Sequence, residues 1–442
     1  MRPASPPDSR AAPFGDQAGA AGTSRMDLQR SHGRGYNAGR MSQTSSPPPP
    51  ARKPETTLET VQARYAEGAQ QQVPELCCPV DYDASLLEVL PEEIVDRDYG
   101  CGDPSRFVRE GDVVVDLGSG AGKICYMASQ IVGPSGRVIG VDTTDEMLAL
   151  ARDHQQSVGD RIGWHNVEFR RGHIQDLRLD HDALEAWIEE HPVHDVQGLT
   201  ALDRRREALR ETAPMIPDES ADVVLSNCVL NLVDPEDKPR MFAEIHRVLK
   251  RGGRAAISDI VSDEDVPAEM QRDPELWSGC ISGAMREDRF LQAFADAGLY
   301  GVEIASYQSE PWAVVNGIEF RSMTVLAYKG KEGPCDDHRE AVIYKGPWKK
   351  VIDDDGHTLT RGVRSAVCRK TFELYTREPY ADQFIPVPPL LPVSAEDATP
   401  FNCRTNSTRS AAETKQGVTR AEVAPGTSAC CEPSPSGGTS CC

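Results

Sequence analysis

The stretch from Val113 to Asp142 constrains this chain most. An apolar run, VVVDLG, breaks into the glycine loop DLGSGAGK, which opens a helical pattern and returns to a second apolar run, RVIGVD. Strand, tight turn, helix and strand in that order predict a βαβ unit with its two strands parallel. Glycines in such a loop let the backbone approach a ligand with no side chain in between. The spacing excludes two common loops. A dinucleotide fingerprint needs its third glycine at the position that Lys123 occupies, and a phosphate-binding P-loop needs Ser or Thr where Ile124 follows Lys123.

Beyond this unit, strand and helix patterns alternate to about residue 330. VEFRRG, ADVVLSN and RAAISD read as the third, fourth and fifth strands. The first helix, AGKICYMASQIVG, stops at Gly133-Pro134, and DEMLALARDHQQ is the second. Asp234-Pro235 is read as the N-cap and first residue of a further helix. Its apolar face runs through Met241, Phe242, Ile245, Val248 and Leu249, and Gly252-Gly253 closes it. Alternation of this kind predicts an α/β fold, a doubly wound and mostly parallel sheet with helices on both faces. A charged, helical insertion (about 177–217, with LEAWIEEHP and DRRREALRE) separates the third and fourth strands.

The flanks have a different texture. Residues 1–53 are rich in Pro, Ser, Gly, Ala and Arg, and cannot bury enough apolar surface to offset chain entropy, so disorder is expected. An organelle transit peptide, or an overextended start with Met26 or Met41 as later beginnings, are the other readings of this segment. Residues 54–110 form a helical lead carrying Cys77, Cys78 and Cys101, and 111–330 the α/β domain. Residues 331–395 read as a small β-rich domain around a hairpin at Asp354-Asp355-Gly356-His357, with His357 solvated. Residues 396–442 read as a flexible tail ending in the vicinal pairs Cys430-Cys431 and Cys441-Cys442.

Charge and cysteine usage narrow the partners. With 48 Lys and Arg against 69 Asp and Glu, the net charge is −21, which repels a phosphate backbone and argues against nucleic acid. No apolar run approaches the roughly 18 residues of a membrane span, and MRPASPPDSRAAPFG holds no apolar export segment. A cytoplasmic monomer is therefore expected, and its 13 cysteines serve as thiols for metal, metalloid or redox chemistry rather than as disulfides.

An acidic residue, G-x-G-x-G and a second acid after the next strand resemble the pattern of class I S-adenosylmethionine-dependent methyltransferases. The resemblance implies a Rossmann-like, seven-stranded sheet with the β-rich unit as an extension. It implies that Asp116 holds the amino group of the methionine part, directly or through water, and that Gly118, Ser119 and Gly120 lie against the cofactor. Asp142 then accepts both ribose hydroxyls. Met147 packs on the adenine, Ile174 in GHIQDL flanks its other side, and Asn227 joins this set. A helix N-cap remains the alternative for Asp142, and ordinary helix packing the alternative for Met147.

The motifs YGCGDPS, DLGSGAGKICY, SNCVLNLV, HRVLKRGG and ELWSGCISGA are similar to those of arsenite methyltransferases, over Leu76 to Ala284. That family's cysteines map onto the Cys77/Cys78 pair, Cys101, Cys228 and Cys280. As(III) is soft and takes three sulfur ligands while keeping a lone pair. The resemblance implies that Cys101, Cys228 and Cys280 hold it as thiolates and that its lone pair displaces the methyl group in line. Cys77 or Cys78, left undecided, would then close a disulfide with a binding thiol and return arsenic to the trivalent state, with thioredoxin or glutathione as the external thiol reductant. Two rivals stand beside this reading: a small organic acceptor with the cysteines as core residues, and a non-catalytic, thiol-based metalloid-binding protein.

Some residues depart from the family pattern or lie outside it. Gln175 precedes Asp176, so the acid of the third-strand loop is displaced, and Thr143 follows Asp142 where relatives carry Met. Cys125 reads as a small buried hydrophobe. Cys335, Cys368 and Cys403 lack a C-x-x-C spacing, which makes a zinc site there a weak reading. The tail pairs either capture metalloid and shuttle reducing equivalents, or belong to a dispensable tail.

Overall fold

In a computed structural model the described residues are 57–70, 80–97 and 99–418. The N-terminal segment, the Cys77-Cys78 pair and both tail pairs lie outside them.

Seven principal strands build one sheet: β1 (Val113–Leu117), β2 (Arg137–Asp142), β3 (Val167–Arg171), β4 (Ala221–Asn227), β5 (Leu249–Ser262), β6 (Tyr300–Tyr307) and β7 (Ile318–Tyr328). Their order is β3-β2-β1-β4-β5-β7-β6. The first five run parallel, and β7 is antiparallel to both its neighbours. The short strands Met285–Arg286 and Ala313–Val315 add to β5 and β7. The doubly wound sheet expected from the sequence is thus present.

The continuous apolar runs follow from burial on both faces. Side chains alternate across the sheet, so Val114 and Val115 enter different cores. Val114 packs with Ile124, Met127 and Leu148 from α2 (Lys123–Val132) and α3 (Asp145–Ile162). Val115 and Leu117 face Phe242, Ile245, Phe290 and Phe294, from the helices at the opposite face. There Phe242, Phe290 and Phe294 meet edge to face at 4.9, 5.3 and 6.5 Å between ring centres. Each such pair adds about 0.5–1.5 kcal/mol beyond area burial.

The insertion forms two helices, α4 (His181–Glu190) and α5 (Val196–Thr212), each started by an aspartate side-chain cap. The next helix, α6 (Lys238–Val248), starts later than the sequence suggests. The Asp234 carboxylate accepts the Glu236 N–H at 2.9 Å, making a turn, and Pro239 sits in the first helical turn. Its end is also earlier, because Leu249 already pairs with Ala221 in the sheet. Gly252, at φ +86°, donates its N–H to the Lys329 carbonyl at 2.7 Å and joins β5 to the end of β7.

Helix α7 (Glu287–Asp296) precedes β6. The C-terminal unit then packs beside that edge strand. Ala341–Tyr344 pairs antiparallel with both Arg364–Ala366 and Phe384–Val387, and a hairpin joins Lys350–Ile352 to Thr358–Thr360. Its helix α8 (Arg369–Tyr375) stacks Tyr375 on Phe384 at 4.5 Å. Tyr380 stacks on Tyr300 of β6 at 6.3 Å, and Arg377 donates to the Tyr300 hydroxyl at 3.1 Å. A sheet edge that would otherwise offer unpaired backbone groups is flanked in this way. His357 is not solvated: its Nδ1 lies 2.8 Å from an Asp353 carboxylate oxygen that also accepts the Tyr375 hydroxyl. Elements continue past 395, with Thr399–Pro400 pairing to Asp336–Asp337 and a capped helix at Ala411–Lys415.

Candidate active site

Strand order reverses between β1 and β4, and the carboxyl ends of β1, β2 and β4 open onto a cavity of about 570 Å³. Gly118, Gly120, Asp142, Met147, Ile174 and Cys228 line it. Gly118 has φ +69°, and a Cβ there would collide with Val229. Any side chain would both strain the turn and close the approach. Lys123, which excluded a dinucleotide loop, is buried with its ammonium 4.7 Å from the Tyr82 ring centre.

Asp142 is held from three sides. One carboxylate oxygen accepts the Gly120 N–H at 2.9 Å, and the other accepts Thr143 and Thr144 N–H at 2.7 and 2.8 Å. Burial raises its pKa, and these backbone bonds oppose the rise. The oxygen that accepts only the Gly120 N–H keeps lone-pair capacity for a further donor. Thr144, not Asp142, is the N-cap residue of α3. The hydroxyl of Ser119 is buried with no hydrogen-bond partner among the described residues. A buried orphan hydroxyl beside a bare glycine loop fits a polar ligand resting there.

Two sequence candidates sit behind the cavity wall. Asp116 is buried at the end of β1 and accepts the Cys125 thiol at 3.2 Å, so Cys125 has a polar partner as well as apolar neighbours. Asn227 clamps the YGCG turn. Its Oδ1 accepts the N–H of Cys101 at 2.9 Å and of Gly102 at 3.1 Å, while its Nδ2 donates to the Gly102 carbonyl at 2.8 Å. A Cβ at Gly100 would strike that amide, and one at Gly102 would lie 2.5 Å from the Ser258 hydroxyl. The glycines flanking Cys101 thus let its turn sit directly on the ends of β4 and β5.

That turn brings Cys101 beside Cys228. Their sulfur atoms and a carboxylate oxygen of Asp259 lie within 4.8 Å of one another, all buried. Cys280, from the W-x-x-C segment, donates its thiol to the Cys228 carbonyl at 3.1 Å, while its sulfur lies outside the close group formed by Cys101, Cys228 and Asp259. Cys228 and Cys280 both adopt positive φ, +63° and +61°. Left-handed backbone costs a non-glycine residue about 1–2 kcal/mol, and such strain gathers where geometry serves function.

Several site groups escaped the sequence reading. Burial raises the Asp259 pKa to about 6, with Lys238 opposing. Burial also lowers Lys238 to about 8, with Asp259 and Cys280 opposing, and its ammonium donates to the Gly283 carbonyl at 2.6 Å. The legible signal for Asp259 was a lone acid inside the apolar strand AAISDIV. Tyr65 and Gln62 had no such signal. Both lie on α1 (Thr57–Gln70), which lines the cavity with Leu58, Val61 and Tyr65. Gln62 donates to the Thr143 hydroxyl at 3.1 Å, Arg64 donates to Ser278 at 2.9 Å, and the Tyr65 hydroxyl lies 3.9 Å from the Cys280 sulfur. One helix therefore touches the glycine-loop side and the thiol side. Burial, with Cys280 and Cys228 adding to it, holds Tyr65 well above the usual phenol range, so its hydroxyl stays protonated.

The displaced acid also finds a place. Gln175 lines the cavity, while Asp176 turns away to pair with Arg210 of α5 and Arg240 of α6, each at 2.8 Å. The insertion is tied to the domain through that carboxylate.

A doubly wound sheet, a bare glycine loop and an acid closing the next strand define a class I S-adenosylmethionine-dependent methyltransferase. A family model described as a methyltransferase domain matches residues 109–202 and 204–298, and one described as a domain of unknown function matches residues 331–419. The chain is 32% identical to an arsenite methyltransferase of Aquipseudomonas alcaligenes over 68% of this chain and 80% of that protein. It is 30% identical to the arsenite methyltransferase of Homo sapiens, over 70% and 76% of the two chains. A solved arsenic(III) S-adenosylmethionine methyltransferase from Chlamydomonas reinhardtii superposes at a TM-score of 0.47 with 25% identity, over 74% of this chain and 100% of that one. The chain belongs to the arsenite methyltransferase family. No helix among the described residues is long and apolar enough to cross a membrane.

Proposed function

We propose that this chain transfers a methyl group from S-adenosylmethionine to trivalent arsenic held by Cys101, Cys228 and Cys280. The observation that carries the reading is that Cys228 lines the same cavity as Gly118 and Asp142 while its sulfur sits beside that of Cys101. Bound there, S-adenosylmethionine supplies an electrophilic sulfonium methyl group. Asp142 holds the ribose, the backbone of Gly118, Ser119 and Gly120 lets the ligand lie against the loop, and Met147 and Ile174 face the base. Asp116 and Asn227 act behind the cavity wall, Asn227 by fixing the turn that carries Cys101.

The protein's part in the chemistry is mainly alignment. Three thiolates hold arsenic with its lone pair free, so the attacking atom carries no proton and no general base is needed for transfer. Thiol protons leave as arsenic hydroxides depart as water, and Asp259 beside Cys101 and Cys228 is placed to accept one on the way. Methylation takes two electrons from arsenic. Cys77 or Cys78 and a binding thiol return them by closing a disulfide, which thioredoxin or glutathione then reduces. A cytoplasmic, reducing compartment and a monomeric enzyme suit this cycle. Buried thiols gathered at the strand end favour a soft, thiophilic acceptor such as trivalent arsenic over an organic one.

The test is incubation of the full chain with methyl-labelled S-adenosylmethionine, arsenite and a thiol reductant. Labelled methylarsenicals are expected. Their absence with intact, cofactor-binding protein overturns the reading, as does full activity in Cys228→Ser.

A further inference from the structure

A second group of thiols lies in the C-terminal unit, within the segment matched only by a domain of unknown function. Cys335, Cys368 and Cys403 come from three separate segments, yet their sulfur atoms lie within 4.8 Å of one another. None is in a disulfide. The backbone brings them together. Asp336 and Asp337, following Cys335, pair with Pro400 and Thr399, and the Phe401 N–H donates to the Cys335 carbonyl at 2.7 Å. Cys368 is buried at the start of α8, where its sulfur meets the Thr371 hydroxyl at 3.2 Å and accepts the Thr371 N–H at 3.4 Å. Cys335 and Cys403 are half-buried, so the group is reachable from outside.

We infer that these three cysteines form a second trithiolate site that binds trivalent arsenic away from the methylation cavity. The donor set selects the occupant. No fourth His, Cys, Asp or Glu donor joins the group among the described residues. Structural zinc sites are almost always tetrahedral and need that fourth ligand. Trivalent arsenic is soft and completes its shell with three sulfurs and its lone pair. Three As–O bonds of arsenous acid break as three As–S bonds form, each thiol proton leaves with a hydroxide as water, and no electrons are exchanged. Choosing arsenic as the occupant rests on the proposed function; the site itself rests on the geometry of the three sulfurs.

The test uses the full chain and reads binding rather than methyl transfer. Arsenite bound per chain is measured by equilibrium dialysis and elemental mass spectrometry, for the unaltered protein and for Cys335→Ser/Cys368→Ser/Cys403→Ser. The triple variant should lose one equivalent of arsenic while its methylation rate in excess thiol stays within about twofold of the parent. Should it fail to fold, Cys403→Ser, which touches a half-buried thiol, should weaken that one site at least tenfold with an unchanged melting curve. Equal arsenic stoichiometry in parent and variant overturns the inference. So does one equivalent of zinc that the parent keeps through an arsenite titration and the variant lacks. Loss of methylation with this site still loaded would instead count against the proposed function.

Discussion

The thiol of Cys280 donates to the backbone carbonyl of Cys228 at 3.1 Å, and both residues hold left-handed backbone. The two cysteines are thus coupled through a main-chain group as well as through any ligand they share. Cys228→Gly separates the strain from the chemistry. Glycine relieves about 1–2 kcal/mol of left-handed cost, which offsets much of the lost thiol packing. The melting temperature should stay within a few degrees while arsenite methylation falls at least about a hundredfold, the loss expected when a reacting group is no longer held in place. Thermal denaturation and a methyl-transfer assay decide; strong destabilisation would show that the thiol is mainly structural.

Asn227 separates a cofactor role from a positioning role. Its side chain makes three bonds to the Cys101–Gly102 backbone. Asn227→Ala leaves those buried groups unpaired, at about 1–3 kcal/mol each where water cannot replace the amide. Methylation should fall roughly tenfold or more, while calorimetry should find cofactor affinity within about threefold of the parent. A parallel collapse of cofactor affinity would place Asn227 in the cofactor site instead.

Asp142 should behave in the opposite way. Asp142→Asn keeps the shape but removes the charge and turns one acceptor into a donor facing backbone N–H groups. Hydrogen bonds to a charged group are worth about 1.5–3 kcal/mol, so cofactor affinity should fall about tenfold to a hundredfold. Arsenic binding, read by dialysis without cofactor, should be unaffected.

Helix α1 should act as a cover over both halves of the site. Gln62→Ala removes its bonds to Thr143, at 3.1 Å to the hydroxyl and 3.4 Å to the carbonyl. Faster amide exchange over residues 57–70 and a KM for S-adenosylmethionine raised several-fold, about 1 kcal/mol in all, are expected. Unchanged exchange would mean that apolar contacts of Leu58 and Val61 hold the helix alone.

Acid stability should depend on the insertion. Burial lowers the His181 pKa to about 4, with His173, its ring 4.7 Å away, and Arg171 adding to the shift. The folded value lies below the ordinary 6.5, so the unfolded chain binds the proton more readily. This stabilisation is complete above the unfolded value and is lost as pH falls from 6.5 toward about 4. His181→Gln should flatten the decline of melting temperature across that window. An unchanged slope would assign the decline to other groups.

The sequence by itself determined the sheet and the glycine loop after β1, and it offered the thiols as candidates. Long apolar runs, the glycines after β1 and the acid ending β2 are local signals, because period, turn chemistry and spacing act over a few residues. Boundaries were less legible: α6 starts beyond Asp234 because that carboxylate closes a turn of its own. Only the tertiary structure decided which residues face one another. It brought Cys101 onto Cys228 through Asn227, placed Asp259 beside both, and laid Tyr65 and Gln62 across the cavity. It also gathered Cys335, Cys368 and Cys403, whose spacing carried no motif. Those encounters depend on strand order and on chain returning from far away, and no local pattern encodes that.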